Sequence, residues 1–135
     1  MDWTQLKAMT GISTAVVTGA LASVLGGWDV WLRVLVFFMI LDYVTGVLAA
    51  ISSKELDSSV GHRGIIKKVF ILCLVAVAYQ LDALAGTNII RIAVIGFYIG
   101  TEGLSILENA IKAGLNVPDK LRDALVQIKG MEKDV

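Results

Sequence analysis

Three apolar runs of membrane-spanning length, Val30–Ile51, Ile65–Ala85 and Ile89–Leu107, follow one another with only a polar loop and a tight turn between them. About 20 largely apolar residues in a helix cross the ~30 Å of bilayer hydrocarbon. The pattern predicts an all-α integral membrane protein. A fourth run, about Gly11 to Gly27, is shorter and rich in small residues. Four spans are therefore expected, with three as the alternative. The composition points the same way. Of 135 residues 56% are hydrophobic and 18% charged, against about 45–50% and about 25% in soluble domains.

The connections are short: Gly26 to Asp29, the polar loop Ser52–Gly64, and the turn Gly86–Asn88. Residues 1–115 then form the helical bundle and 116–135 a cytoplasmic helix with a polar tail. Pro118 suits the first turn of that helix and Gly130 its end. Leu121, Ala124, Leu125 and Ile128 share one face, so the helix is amphipathic and too polar to span. It is expected on the membrane surface or against a neighbouring chain. The first segment does not read as a cleaved signal, because its apolar stretch is rich in Gly, Ser and Thr and Asp2 weakens the basic start.

Lysine and arginine placement sets the orientation. With four spans, Lys7, Lys54, Arg63, Lys67, Lys68, Lys112, Lys120, Arg122, Lys129 and Lys133 fall on one side, and only Arg33 and Arg91 on the other. Both termini and the Ser52–Gly64 loop are thus expected in the cytoplasm, with Trp28 and Trp31 at the outer interface. With three spans only the N-terminus changes side.

Small residues recur every four positions in the first segment, at Gly11, Ala15, Gly19, Ser23 and Gly27. Gly46 and Ala50 follow Asp42 at the same step, and Gly96 and Gly100 repeat it in the fourth span. Such rows let helix backbones approach closely, and close packing drives association where lipid supplies no hydrophobic contrast. They are candidates for packing within one bundle or for contact between chains.

Four acids lie in or beside the spans: Asp42, Asp82, Glu102 and Glu108. A charge at mid-helix costs ~3 kcal/mol on insertion scales. At 1.5 Å per residue, Asp42 lies ~18 Å from Val30 and Glu102 ~20 Å from Ile89, which puts them at similar depth. Three states are open to this pair: protonated and hydrogen-bonded, wetted by a cavity, or paired with a lysine stem reaching up. Thr45 adds a polar group nearby, and the site is a candidate pore lining or latch. Asp82 is expected to pair with Arg91 near one interface, and Glu108 with Lys67 and Lys68 near the other.

A zero net formal charge offers no basic field for nucleic acid, and one cysteine and one histidine give no metal-ligand set. No Ser/His/Asp constellation or phosphate loop appears. The expectation is no enzyme, no cofactor, no metal and no catalytic residue.

The stretches "LDYVTGVLAA", "SSVGHRGIIKKVFIL" and "TEGLSILENAIKAGLNVPDKLRDAL" occur in order between Leu41 and Lys129. Over these two thirds of its length the chain resembles the phage lysis and toxin-secretion holins. The matched motif positions are Asp42, Thr45, Gly46, Gly61, Gly64, Lys68, Glu102, Gly103, Glu108 and Asn109. The resemblance implies a small multispanning protein of the bacterial cytoplasmic membrane. It implies homo-oligomeric lesions that depolarise the membrane and let an endolysin or toxin cross without binding it directly. An antiholin, or a small ion or proton channel, is the alternative.

Overall fold

The computed structural model describes residues 1–54 and 58–130 as five helices and no strand. These are α1 (Trp3–Val24), α2 (Val30–Ser52), α3 (Ser58–Ala85), α4 (Ile89–Lys112) and α5 (Asp119–Gly130). The first four are long and apolar enough to cross a membrane, α3 over its Gly64–Ala85 part. Residues 55–57 of the expected polar loop, and the expected tail with Lys133, lie outside the described residues.

Two boundaries differ from the sequence expectation. α1 begins at Trp3 rather than near Gly11, because Asp2 and Gln5 cap it: the Asp2 N–H donates to Gln5 Oε1 at 3.4 Å. The expected loop is helical from Ser58, and its glycines bring α3 against α2. A Cβ on Gly61 would lie 3.3 Å from the Tyr43 hydroxyl.

α4 is the spine, packed against α2, α3 and α5. Leu32, Leu35 and Met39 of α2, Ile71 and Val75 of α3, and Ile95 and Ile99 of α4 form the buried core. In a bilayer such a core gains close packing rather than hydrophobic transfer, since lipid tails are as apolar as leucine. α1 stands apart, with no buried residue. Its hydroxyls are satisfied by its own backbone: Thr10, Ser13, Thr14 and Thr18 each donate to the carbonyl four residues back, at 2.7–3.0 Å. That leaves α1 compatible with lipid on every side.

At one end of the bundle the α1–α2 and α3–α4 turns meet, and Arg91 joins them. Its guanidinium donates to the Leu25 carbonyl (2.6 Å), the Gly27 carbonyl (3.0 Å) and the Asp29 carboxylate (2.6 Å). Gly26, at φ +90, is a required glycine: a Cβ there would lie 2.5 Å from Arg91 Nε. Asp29 also caps α2, accepting from the Leu32 N–H at 2.9 Å. The expected Asp82–Arg91 side-chain pair is not what forms. Asp82 instead accepts from the backbone N–H groups of Ile90 (3.0 Å) and Arg91 (2.7 Å) and from the Thr87 hydroxyl (2.6 Å). The start of α4 carries unpaired N–H groups and a positive dipole end, and a carboxylate satisfies both. This frees the Arg91 side chain for the other turn.

Arg91 is only 6% exposed but its partner Asp29 is 44% exposed, so Arg91→Ala strands two backbone carbonyls rather than a buried charge and should cost about 1–3 kcal/mol. Thermal unfolding in detergent reads the loss, and hydrogen exchange should accelerate at Leu25–Asp29. The Arg91 hydrogen bond holds the Asp29 carboxyl below the usual aspartate range. Its contribution is therefore complete above the ordinary aspartate pKa and is lost as pH falls through the lowered native one. Asp29→Asn should remove that acid limb from a stability–pH profile.

Candidate functional site: a buried charge cluster

The Lys68 ammonium lies 2.7 Å from Asp42 Oδ2 and 2.6 Å from Glu102 Oε2. One group on each of α2, α3 and α4 thus meets at a single nitrogen. The side chains are 16%, 16% and 8% exposed for Lys68, Asp42 and Glu102, low enough that water does not replace the partners. Counting 1.5 Å per residue, Lys68 lies about 26 Å from the end of α3 at Ala85, deeper than Asp42 and Glu102. Its four-carbon stem carries the charge back to their level. Of the three states open to the two acids, this is the paired one.

A second layer fixes Asp42. The Asn109 side-chain amide donates to Asp42 Oδ1 (3.2 Å), to the Asp42 carbonyl (3.2 Å) and to the Thr45 hydroxyl (3.0 Å). Thr45 can accept because its own hydrogen is committed to the Leu41 carbonyl at 2.7 Å. Gly46 leaves room for the amide, which would lie 3.6 Å from a Cβ there. Among the described residues no buried side-chain nitrogen or oxygen lacks a partner. With all three groups ionised the cluster carries one net negative charge, and one bound proton makes it neutral.

The other expected site residues are distributed as follows. Lys68 was expected beside Glu108 but serves Asp42 and Glu102, because its flexible stem reaches inward. Lys67 and Glu108 are exposed, and among the described residues they form no ion pair. Gly11 and Gly19 have open space where a Cβ would point, and Ala15 and Ser23 on the same row are exposed. Gly27 belongs to the α1–α2 turn, at φ +101. Ala50 is half-buried. Gly96 approaches Trp31, whose Cζ3 would lie 3.9 Å from an added Cβ.

Gly100 receives α5 of the same chain. An added Cβ there would lie 2.6 Å from Lys129 Cβ and 2.9 Å from the Leu125 carbonyl oxygen. The C-terminal helix therefore packs on its own α4. Gly103, one turn away, makes the second notch, with Leu125 Cδ2 at 2.5 Å from an added Cβ. Sequence periodicity did not single out Gly103 or Asn109, which entered only as motif positions. The role of Asp29 was missed, although an aspartate just before an apolar run is a helix-start signal.

Among the described residues no cluster of metal-ligating side chains occurs. As built, the cluster ties α2, α3 and α4 together at one nitrogen. Lys68→Met leaves two carboxylates facing each other, and should destabilise the chain by about 3 kcal/mol or more. Glu102→Gln keeps the Asp42–Lys68 pair at zero net charge and should cost clearly less. Thermal unfolding of both variants at equal detergent concentration checks the order; equal losses would contradict it.

Comparison with known proteins agrees with this picture of a small multispanning protein. The model of the bacteriophage holin family matches residues 19–130. A "probable holin" of Bacillus phage phi105 is 34% identical over 96 residues, covering 70% of this chain and 71% of the relative. An uncharacterized 14.9 kDa protein from the nagH 3' region of Clostridium perfringens is 47% identical over 107 residues, 78% and 81% of the two chains. An uncharacterized protein of Halalkalibacterium halodurans is 36% identical over 133 residues, 94% and 98% of the two. No solved structure matches the chain significantly. The matched segment contains the whole charge cluster but only the last turns of α1, from Gly19 on, and the chain belongs to the bacteriophage holin family, a family of non-enzymatic membrane proteins.

Proposed function

We propose that the chain is a holin that accumulates in the bacterial cytoplasmic membrane, assembles with its own copies and opens lesions through which an endolysin or a secreted toxin crosses. The observation that carries this reading, beyond membership of the family, is α1. An apolar helix of 22 residues with no buried position has its packing still to make. Its small-residue row at Gly11, Ala15, Gly19 and Ser23 suits a second copy, where backbones come close enough for dispersion to hold them. The ten-against-two bias of basic residues supports both termini on the cytoplasmic side.

In this reading the Asp42–Lys68–Glu102 cluster is the latch of the resting subunit. It keeps α2, α3 and α4 together and keeps their charges away from lipid. Asp42 carries the largest share, because it also receives Asn109. The endolysin or toxin needs no surface on this chain, only a hole. An antiholin would share the sequence but not the lesion.

Expression of the chain alone in a bacterial host decides between these. A holin should collapse the membrane potential and let a co-expressed cytoplasmic lytic enzyme without a signal sequence, or a cytoplasmic reporter protein, cross the membrane. Harmless accumulation together with delay of another holin's lysis would make it a regulator instead. Passage of small ions alone, with saturation, would make it a channel. Asp42→Asn weakens the latch and should advance lysis at equal membrane abundance; unchanged timing would contradict the latch.

A further inference from the structure

α5 is mounted on α4 at a depth that its outward face does not suit. It runs antiparallel to α4, with Leu125 at Gly103 and Lys129 at Gly100. Gly100 is about 17 Å from the start of α4 at 1.5 Å per residue, close to the middle of a ~30 Å hydrocarbon layer. The mounting is built into the sequence. Two glycines remove the Cβ atoms that would strike α5, Leu125 is buried, and Ile128 packs against the core cluster. The Lys129 ammonium sits 5.4 Å from the Phe97 ring centroid. Ile128 also closes one end of an apolar groove of about 630 Å³ between α2 and α4.

The face of α5 away from Leu125 and Lys129 carries Lys120, Asp123 and Gln127, all exposed. Charged groups at membrane depth face protein or water, not lipid. Among the described residues α5 packs on α4, which leaves that face exposed. α1 differs in kind, since its hydroxyls bond internally and its surface is apolar. The two unpartnered surfaces therefore call for different surroundings, lipid or a copy's helix for α1 and water for α5.

Resting on the lesion-forming reading above, we propose that α5, seated in the Gly100–Gly103 notch, lines the water-filled passage formed between copies of this chain. Its apolar edge anchors it to α4, and its Asp123 and Gln127 face the lumen. The lumen is then built from the C-terminal helix rather than from the Asp42–Lys68–Glu102 cluster, which stays inside each subunit.

The test uses the full chain with Cys73→Ala, in planar bilayers. Single cysteines are placed at Asp123, Gln127 and, as the docked control, Leu125. A charged, membrane-impermeant methanethiosulfonate is then added to the conducting state. Modification at Asp123→Cys or Gln127→Cys should remove at least half of the current, and exposure of Leu125→Cys should leave it unchanged. Labelling at Asp123 and Gln127 without loss of current would overturn the proposal, because α5 would then lie in bulk water outside the passage. In a second arm Gly100→Val expels α5. It should abolish conductance while the chain still accumulates in the membrane. Faster or unchanged permeabilisation by this variant would make α5 a plug or a bystander and overturn its lining role. A wild-type chain that passes no current refutes the lesion reading itself, and the lining with it.

Discussion

The Lys68 ammonium, held 2.7 Å from Asp42 and 2.6 Å from Glu102, is the contact on which the packing of the spans depends. Apolar side chains in a bilayer lose little by leaving one another for lipid, so Leu32, Leu35, Val75 and Ile95 shape the bundle without strongly holding it. Charges have no such alternative. Two carboxylates and one ammonium at mid-span are tolerable only while together, and α2, α3 and α4 each contribute one. The same logic explains the neighbours: Asn109 donates to the remaining carboxylate oxygen of Asp42 and is held in place by the Thr45 hydroxyl.

The far end of the bundle repeats the arrangement with backbone groups. Asp82 ends the exposed N–H row of α4, and Arg91 ends the carbonyl row of α1 while pairing with Asp29. The two polar nodes leave α4 fixed at both ends, with the glycine notch for α5 between them. α1 is attached only through its turn. The chain has a three-helix body, one span with no buried residue, and one amphipathic helix carried on its spine. That division of parts suits the proposed function, in which the chain is stable as it accumulates and rearranges on assembly.

The spans were readable from sequence because helices in lipid need long apolar runs, and length alone nearly decides the matter. Asp42 and Glu102 were readable for the opposite reason, as exceptions that demand a partner. The partner was not. Periodicity places a lysine's Cα, whereas its charge sits at the end of a long flexible stem, so Lys68 was assigned to Glu108. Asp82 and Arg91 were recognised as a neighbouring pair, but the donors at Asp82 are backbone N–H groups, which no residue type announces. Gly100 was recognised as a close-packing position. That its occupant is α5 required the three-dimensional path of the Ala113–Pro118 connection, and the second notch at Gly103 carries no periodic signal of its own.

The account stands on one ammonium serving two carboxylates. Solid-state NMR distance measurement between the Lys68 ζ-nitrogen and the side-chain carboxyl carbons of Asp42 and Glu102, in lipid bilayers, tests this most directly. Strong, contact-range dipolar coupling from Lys68 to both carboxyl carbons is the predicted result. Coupling to only one, or to Glu108 instead, would contradict it and leave the three-helix body without its central tie.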